Sequence, residues 1–305
     1  MKTFLCSVIT CLLLSDPGTC ISTLNGFPTE CGTPKISRIW KEEAMYSKTQ
    51  ATANGWPWHG GLRSANRGEH PFCGGTLISR KLILTSAHCI RSLITCDDMP
   101  HGETFNITAI TGDTVTVYLG DHKFSNDASD RQTIQIELVQ IHPDFKTKDK
   151  GTNVDVALLQ LSKSVHISDK VNYICTPSAD LALKSKHLCY YAGWGAVLRR
   201  GTSKQWKNPK LLREAEVAIA DYQECSTAAV PVSAQITTCI EVEARSPCHG
   251  DAGGGLYCRP EGEKRWFLNG VLSNPDQKCL AERAITTSIT AVLKWLSGNT
   301  FLKMP

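Results

Sequence analysis

The sequence predicts an all-β fold that ends in one amphipathic helix. Short β-type runs broken by turn residues recur along the chain, and three of them are residues 114–119, 132–141 and 156–161. Short strands at regular spacing are typical of a sandwich or a barrel. The last segment differs, because four apolar side chains recur there at helical spacing: Ile289, Val292, Leu293 and Leu296.

The individual elements follow from their patterns. In the run 132–141, Ile134, Ile136 and Leu138 lie on one face of an extended strand. The run 156–161 is almost continuously apolar. The C-terminal apolar stripe predicts a helix that packs on the body of the protein.

Composition places the chain among ordinary globular proteins. It has 305 residues, of which 41% are hydrophobic and 20% are charged, enough for one large β domain or two small ones. A formal net charge of +4 gives no reason to expect nucleic acid or an anionic membrane as the main partner.

The N-terminus has the layout of a secretory signal peptide. Lys2 precedes an apolar run over residues 4–14, and Ser15-Asp16-Pro17-Gly18 follows. We expect residues 1–20 to be this signal, cut after Gly18 or Cys20. No second long apolar run follows, so we expect a secreted, extracellular protein without a membrane span.

The chain has 14 cysteines, which in a secreted protein indicate disulfides. No CxxC pair is present, so a zinc site has little support, and we expect neither metal nor cofactor. Eleven cysteines follow the predicted signal, and the sequence alone does not pair them: Cys31, Cys73, Cys89, Cys96, Cys175, Cys189, Cys225, Cys239, Cys248, Cys258 and Cys279.

Three short blocks carry the candidate chemistry. They read TSAHC around His88, NVDVALL around Asp155 and CHGDAGGG around Ala252. The chain resembles the chymotrypsin–trypsin family of serine endopeptidases, whose blocks are AHC, D-I-A-L and GDSGG. The order base, carboxylate, nucleophile is the chymotrypsin order. The resemblance implies that His88 is the base, that Asp155 orients it, and that Ala252 occupies the nucleophile position.

Ala252 has a methyl group where attack on an amide needs a hydroxyl. The resemblance still implies an oxyanion hole made by the backbone N–H groups of Gly250 and Ala252. Ser246 is six positions away and is not expected to substitute as nucleophile. We therefore expect no useful protease activity.

The resemblance covers roughly residues 45–300 and implies two six-stranded antiparallel β-barrels, with their boundary near residues 162–175. Residues 21–44 would form a short N-terminal segment, and residues 45–305 the protease-like domain. The 66 residues between His88 and Asp155 exceed the usual family spacing, which predicts an enlarged loop. The sequon at Asn106 in that loop is a glycosylation candidate.

The resemblance also implies a disulfide set. Cys31–Cys175 would tie the N-terminal segment to the body, and Cys96 is left to pair with Cys20 or with another chain. The other implied bonds are Cys73–Cys89, Cys189–Cys258, Cys225–Cys239 and Cys248–Cys279.

Activation in the family frees an N-terminus whose ammonium pairs with the aspartate before the nucleophile, here Asp251. The new N-terminus would fall at Met45, but no basic residue precedes it. Arg38–Ile39 offers a basic–apolar bond six residues earlier. Without an ammonium, a buried Asp251 needs another partner or a raised pKa.

The substrate edge and pocket also depart from the family pattern. After Ser273, Asn274 and Pro275 stand where Trp and Gly are usual, and proline removes one backbone donor to an extended peptide. Ser246 matches the pocket floor and Ala284 a wall usually held by glycine. An uncharged floor predicts a preference for neutral or apolar side chains.

These departures favour a secreted, non-catalytic protease homologue that binds an extracellular protease, zymogen or inhibitor in a proteolytic cascade. One alternative is a serine endopeptidase whose serine is altered in this sequence. Another is a polyanion-binding carrier that uses a local basic cluster: Arg199, Arg200, Lys204, Lys207, Lys210 and Arg213.

Overall fold

The structure of the protein is a computed structural model. The structure describes residues 23–24, 26–39, 47–95, 99–124, 131–146, 153–178, 181, 187–198, 206–226, 232–243, 245–273 and 279–303. The predicted signal peptide, Met45, Cys96 and the pair Asn274–Pro275 lie outside these residues.

The N-terminal segment contributes short strands only. Strands β1 (Thr23–Leu24) and β2 (Phe27–Pro28) pair antiparallel with each other. Strand β3 (Thr49–Gln50) instead joins the second large sheet of the molecule. This pairing fixes the chain immediately beside Lys48.

The first large sheet closes on itself as an antiparallel barrel. Its strands run in the order β10–β6–β5–β4–β8–β9, β9 pairs back to β10, and β7 extends the sheet beyond β9. The strands are β4 (His59–Ser64), β5 (Cys73–Leu77), β6 (Leu82–Thr85), β7 (Thr104–Asn106), β8 (Val115–Leu119), β9 (Gln132–Ile141) and β10 (Ala157–Leu161).

The three strands predicted from the sequence are confirmed within a residue of their expected bounds. In β9 the core-facing side chains change phase, from Ile134 and Ile136 to Val139 and Ile141. The register against β10 shifts at Gln160–Leu161, opposite this change. The resulting irregularity leaves Leu138, expected on the buried face, only partly buried.

The second large sheet forms another antiparallel barrel. Its order is β11–β16–β17–β18–β15–β14, β11 pairs back to β14, and β3 adds to β14. The strands are β11 (Leu188–Gly193), β14 (Arg213–Ala220), β15 (Thr237–Glu241), β16 (Gly255–Arg259), β17 (Phe267–Leu272) and β18 (Arg283–Ser288), with a separate short pair β12 (Val197–Leu198) and β13 (Trp206–Lys207). Two six-stranded barrels, as expected, make up the body.

Helices are few in the described residues. They are α1 (Ala87–Arg91), α2 (Ile107–Thr111), α3 (Tyr222–Cys225) and α4 (Ile289–Gly298), with 3₁₀ turns at Ala65–Arg67 and Thr300–Lys303. The predicted C-terminal helix is confirmed as α4, whose Ile289, Val292 and Leu296 are buried. None of these helices is long and apolar enough to cross a membrane.

Five disulfides join the described residues, and they are the five pairs that the resemblance implied. Cys31–Cys175 attaches the N-terminal segment to the residues between the barrels. Backbone hydrogen bonds beside it join Gly32 to Tyr173 and to Trp266. The segment is therefore part of the folded body.

The long connection after His88 carries secondary structure of its own. Strand β7 pairs with β9, and α2 follows directly. Asn106 is exposed at the start of α2, where its side-chain oxygen accepts a hydrogen bond from the Ala109 N–H at 2.9 Å. The inserted residues thus enlarge the first barrel, and they leave the sequon at the surface.

Candidate functional site

His88 lies on α1, the single helical turn that follows β6. Ala87, Cys89 and Ile90 of this turn are buried, whereas the His88 side chain is 37% exposed. The Cys73–Cys89 disulfide ties the turn to β5. The buried neighbours and the disulfide hold the turn in place, and they thereby fix the direction in which the imidazole points.

Asp155 holds the imidazole from behind. Its Oδ2 lies 2.6 Å from His88 Nδ1, and its Oδ1 accepts the His88 backbone N–H at 2.8 Å. The Ser273 hydroxyl donates to the same Oδ2 at 2.5 Å. Nδ1 therefore carries the proton, and Nε2 is the ring nitrogen available as an acceptor. The structure brings together the two residues expected to be base and orienting carboxylate.

The two groups shift each other's titration. Burial opposes protonation of His88, but the charge of Asp155 and its hydrogen bond outweigh burial and raise the pKa of His88 above its usual range. Burial alone would raise the pKa of Asp155, yet His88 and the Ser273 hydroxyl together lower it. The pair is electrostatically arranged as a general base and its partner.

Ala252 lies in the turn between Ser246, the expected pocket floor, and β16. Only 4% of Ala252 is exposed. Its carbonyl accepts the Gly74 N–H at 2.7 Å. The Cys89 sulfur lies 3.6 Å from the same carbonyl and 3.9 Å from His88 Nε2, so Ala252 and the imidazole flank one disulfide. The backbone of Ala252 thus lies near the base, and the place of its methyl group at the nucleophile position stays a prediction.

The glycines around Ala252 are required by close packing. Gly253 has φ +79°, and a Cβ there would lie 2.2 Å from the Thr85 hydroxyl oxygen. Gly250 has φ +99°, a backbone conformation that favours glycine. No hydrogen bond within the described part of the chain uses the N–H of Gly250 or of Ala252. That both N–H groups form an oxyanion hole stays a prediction.

Asp251 is completely buried under the Gly193-Trp194-Gly195 turn. A Cβ on Gly195 would lie 2.3 Å from the carboxyl carbon, so only glycine fits. The carboxylate accepts the Gly195 N–H at 3.0 Å and the Cys248 N–H at 2.8 Å. These contacts connect Asp251 to the Gly193-Trp194-Gly195 turn and to the backbone at Cys248.

Lys48 provides the positive partner that Asp251 requires. Its Nζ lies 2.5 Å from Asp251 Oδ2 and donates to the Gly195 carbonyl at 3.0 Å. Both side chains have an exposed fraction of zero. Burial lowers the pKa of Lys48, while the charge of Asp251 opposes that shift. Sequence reasoning missed this lysine, although it lies three residues after the expected N-terminus at Met45.

Comparisons with known proteins agree with this geometry. The family model described as Trypsin matches residues 45–296. The chain belongs to the trypsin family. It is 27% identical over 256 residues to chymotrypsin-like elastase family member 1 of Rattus norvegicus, covering 82% of this chain and 86% of the relative. The protein of the same name from Homo sapiens is 28% identical over 257 residues, covering 82% and 90%.

The structure describes part of the substrate pocket that is expected for this trypsin-family chain. Ser246, the predicted floor, is buried, and its hydroxyl donates to the Pro247 carbonyl at 3.2 Å. Ala284 lies on β18 opposite Ile240. Ser246 brings no charge to the floor, which agrees with the expected preference for neutral or apolar side chains. That preference stays a prediction.

The basic cluster needs a correction. Arg213 is buried, and its guanidinium donates to the Lys48 carbonyl at 3.4 Å, so it belongs to the core and not to a surface patch. Lys207 and Lys210 are exposed. Arg199, Arg200 and Lys204 lie outside the described residues. The sequence missed the burial of Arg213 because its buried neighbours come from distant parts of the chain.

Proposed function

We propose that this trypsin-family chain is a secreted, non-catalytic homologue that regulates an extracellular proteolytic cascade by binding one of its proteins. The observation that carries the proposal is the methyl group at position 252 of a chain that keeps the His88–Asp155 contact. His88, Asp155 and Ser273 are joined by hydrogen bonds, whereas Ala252 has no hydroxyl that could form a bond to a carbonyl carbon.

The size of the catalytic loss supports binding over proteolysis. When a serine protease loses its nucleophile, the oxyanion hole and substrate binding retain only roughly 10³–10⁴-fold acceleration over water. Such a residual rate is far below what peptide hydrolysis requires. The cleft itself keeps its base, its donors and its disulfides, and a polypeptide loop of a protease, zymogen or inhibitor fits this chemistry.

A covalent probe tests the non-catalytic part of the proposal. A fluorophosphonate reacts when a nucleophilic oxygen bonds to phosphorus and fluoride leaves, while the base takes the proton. We expect no labelling of the Ala252 protein before or after trypsin treatment. Covalent labelling that persists in a contaminant-free preparation would contradict the proposal.

A capture experiment tests the binding part. The protein is used as bait in its native extracellular fluid, with His88→Trp to obstruct the cleft and Tyr222→Ala as a control on the exposed surface of α3. We expect the wild type and the Tyr222 variant to retain a protease, zymogen or inhibitor that the His88 variant loses. Equal retention by all three baits would exclude the cleft as the binding surface.

A serine endopeptidase is the second candidate, and the intact contact between His88 and Asp155 favours it. It requires that a serine precede Gly253 in the natural protein. Sequencing the transcript and the peptide that contains residue 252 decides this directly. A serine codon there would favour the enzyme, and an alanine codon supports the binding role.

A further inference from the structure

In the family, a freed N-terminal ammonium pairs with the aspartate that Asp251 matches. In this chain the ammonium of buried Lys48 pairs with Asp251. Its Nζ contacts the Asp251 carboxylate at 2.5 Å and the Gly195 carbonyl at 3.0 Å, with no exposed surface on either side chain. An N-terminal ammonium becomes available only after a peptide bond is cut. A lysine ammonium is present in the uncut chain.

Lys48 is held there by its own backbone. The Ser47 N–H donates to the Leu198 carbonyl at 3.1 Å, and Thr49 pairs with Glu214 in β14. Arg213 donates to the Lys48 carbonyl at 3.4 Å. The residues on both sides of Lys48 are thus held, Ser47 by β12 and Thr49 by β14 of the second barrel, and the side chain enters the interior from a fixed point.

The Arg38–Ile39 bond, the basic–apolar candidate for an activating cut named above, is protected. The Arg38 guanidinium is 10% exposed and pairs with the buried Glu214 carboxylate at 2.9 Å. It also lies 3.8 Å from the ring centre of Tyr190 and 4.2 Å from that of Trp56. A trypsin-like protease must take this guanidinium into its own pocket, which these contacts prevent.

The bond itself is also held. The Ile39 N–H donates to the Thr52 hydroxyl at 2.8 Å, and that hydroxyl donates to the Ile39 carbonyl at 3.2 Å. Cleavage requires an extended, accessible segment in the protease cleft. Arg38–Ile39 therefore lacks both the free side chain and the free backbone that cleavage needs.

Building on the proposed binding role, we propose that Lys48 is a positioning residue that replaces the activation cleavage. It keeps the Asp251 turn, and with it the N–H groups of Gly250 and Ala252, in the binding-competent arrangement of an uncut chain. The cleft of this protein is accordingly formed at synthesis and needs no processing enzyme after removal of the signal.

The test uses Ala252→Ser as a reporter in the full chain. A serine there reports an assembled site, because reaction with a fluorophosphonate needs the base and both oxyanion donors but no long substrate edge. We expect the uncut reporter to be labelled, with no gain after trypsin treatment. Chain integrity is read on reducing gels, because Cys31–Cys175 would hold cut fragments together.

Lys48→Ala in the reporter tests the lysine directly. We expect labelling to slow by about 100-fold, the usual effect of losing an oxyanion-hole donor. Propylammonium, which matches the atoms removed, should restore labelling, and neutral 1-propanol should not. Lys207→Ala is the matched control on an exposed lysine and should label like the reporter.

Two results would overturn the inference. One is an uncut reporter that stays unlabelled, whether or not trypsin later activates it. The other is a folded Lys48→Ala reporter that labels at the full rate. If the Lys48 variant does not fold, the uncut reporter alone still decides. Labelling of the Ala252 protein would refute the proposed function instead, so the two failures are distinguishable.

Discussion

At the scale of single residues, His59 couples folding to pH. It is buried in the first barrel, where Nδ1 lies 3.0 Å from the Tyr257 hydroxyl. Burial lowers the pKa of His59 from 6.5 to about 3. The unfolded chain therefore binds a proton that the folded chain does not, and the free energy of unfolding falls as pH drops from 6.5 towards 3.

We expect His59→Gln to remove this contribution, at most about 1.4 kcal/mol per pH unit. The measurement is the free energy of unfolding in urea at several pH values between about 4 and about 7. His166→Gln, at an exposed histidine, is the control and should keep the slope of the wild type. An unchanged slope in the His59 variant would contradict the assignment.

Lys48 makes a second residue-scale prediction. Lys48→Met leaves the Asp251 charge buried with only its two backbone donors, so we expect a loss of about 3–5 kcal/mol in the free energy of unfolding. Lys207→Met, at an exposed lysine, should change it by less than about 0.5 kcal/mol. The double variant Lys48→Met/Asp251→Asn should lose less than Lys48→Met alone, because no buried charge is left unpaired.

The site residues show how far the sequence alone predicts single residues. His88, Asp155 and Ala252 stand in the short blocks that carry the family resemblance, and the resemblance supplied their roles. The need for a partner at Asp251 was also predicted, but the partner was not. Lys48 and Asp251 are 203 residues apart, and the inward direction of a lysine depends on pairing between β3 and β14.

At the scale of elements, helix α4 stabilises the fold through one buried stripe. Leu296 is 1% exposed, whereas Lys294 on the same helix is exposed. We expect Leu296→Ala to cost about 2–5 kcal/mol, because it leaves a cavity under the helix. Lys294→Ala should be close to neutral. A small loss for Leu296→Ala, measured by urea unfolding, would mean that the helix packs loosely.

Element prediction succeeded where periodicity is continuous and was incomplete where pairing decides. The bounds of β9 were predicted as observed, because polar and apolar residues alternate from Thr133 to Leu138 and again from Val139 to Ile141. The change of buried face after Ile136 depends on the irregular register with β10. That register depends on both strands together, and neither strand alone determines it.

At the scale of the whole molecule, the disulfides should contribute unequally. Cys31–Cys175 spans 144 positions and Cys225–Cys239 spans 14. In the chain-entropy model, the longer loop is worth about 5 kcal/mol and the shorter about 3 kcal/mol. We therefore expect replacement of the Cys31–Cys175 pair by alanines to lower the unfolding free energy more than replacement of Cys225–Cys239. The reverse order would show that native-state contacts outweigh loop entropy.

The global architecture was predictable through the resemblance, which implied both barrels and all five disulfide pairs. Periodicity alone reached only an all-β body with a terminal helix. Barrel closure depends on pairing between β9 and β10 and between β11 and β14, contacts that no local pattern encodes. The resemblance also implied that Cys31–Cys175 ties the N-terminal segment to the body, whereas the contacts of Gly32 with Trp266 and of Arg38 with Glu214 were found only in the structure.

The most direct test of the central claim is ester and peptide turnover by the purified wild-type protein. With a methyl group at position 252, we predict no turnover above the roughly 10³–10⁴-fold residual acceleration left by binding and the oxyanion hole. The measurement uses a neutral p-nitrophenyl ester and apolar peptide substrates, with the Ala252→Ser protein assayed in parallel. Turnover by the wild type at the rates of digestive serine proteases, retained through repeated purification, would contradict the account.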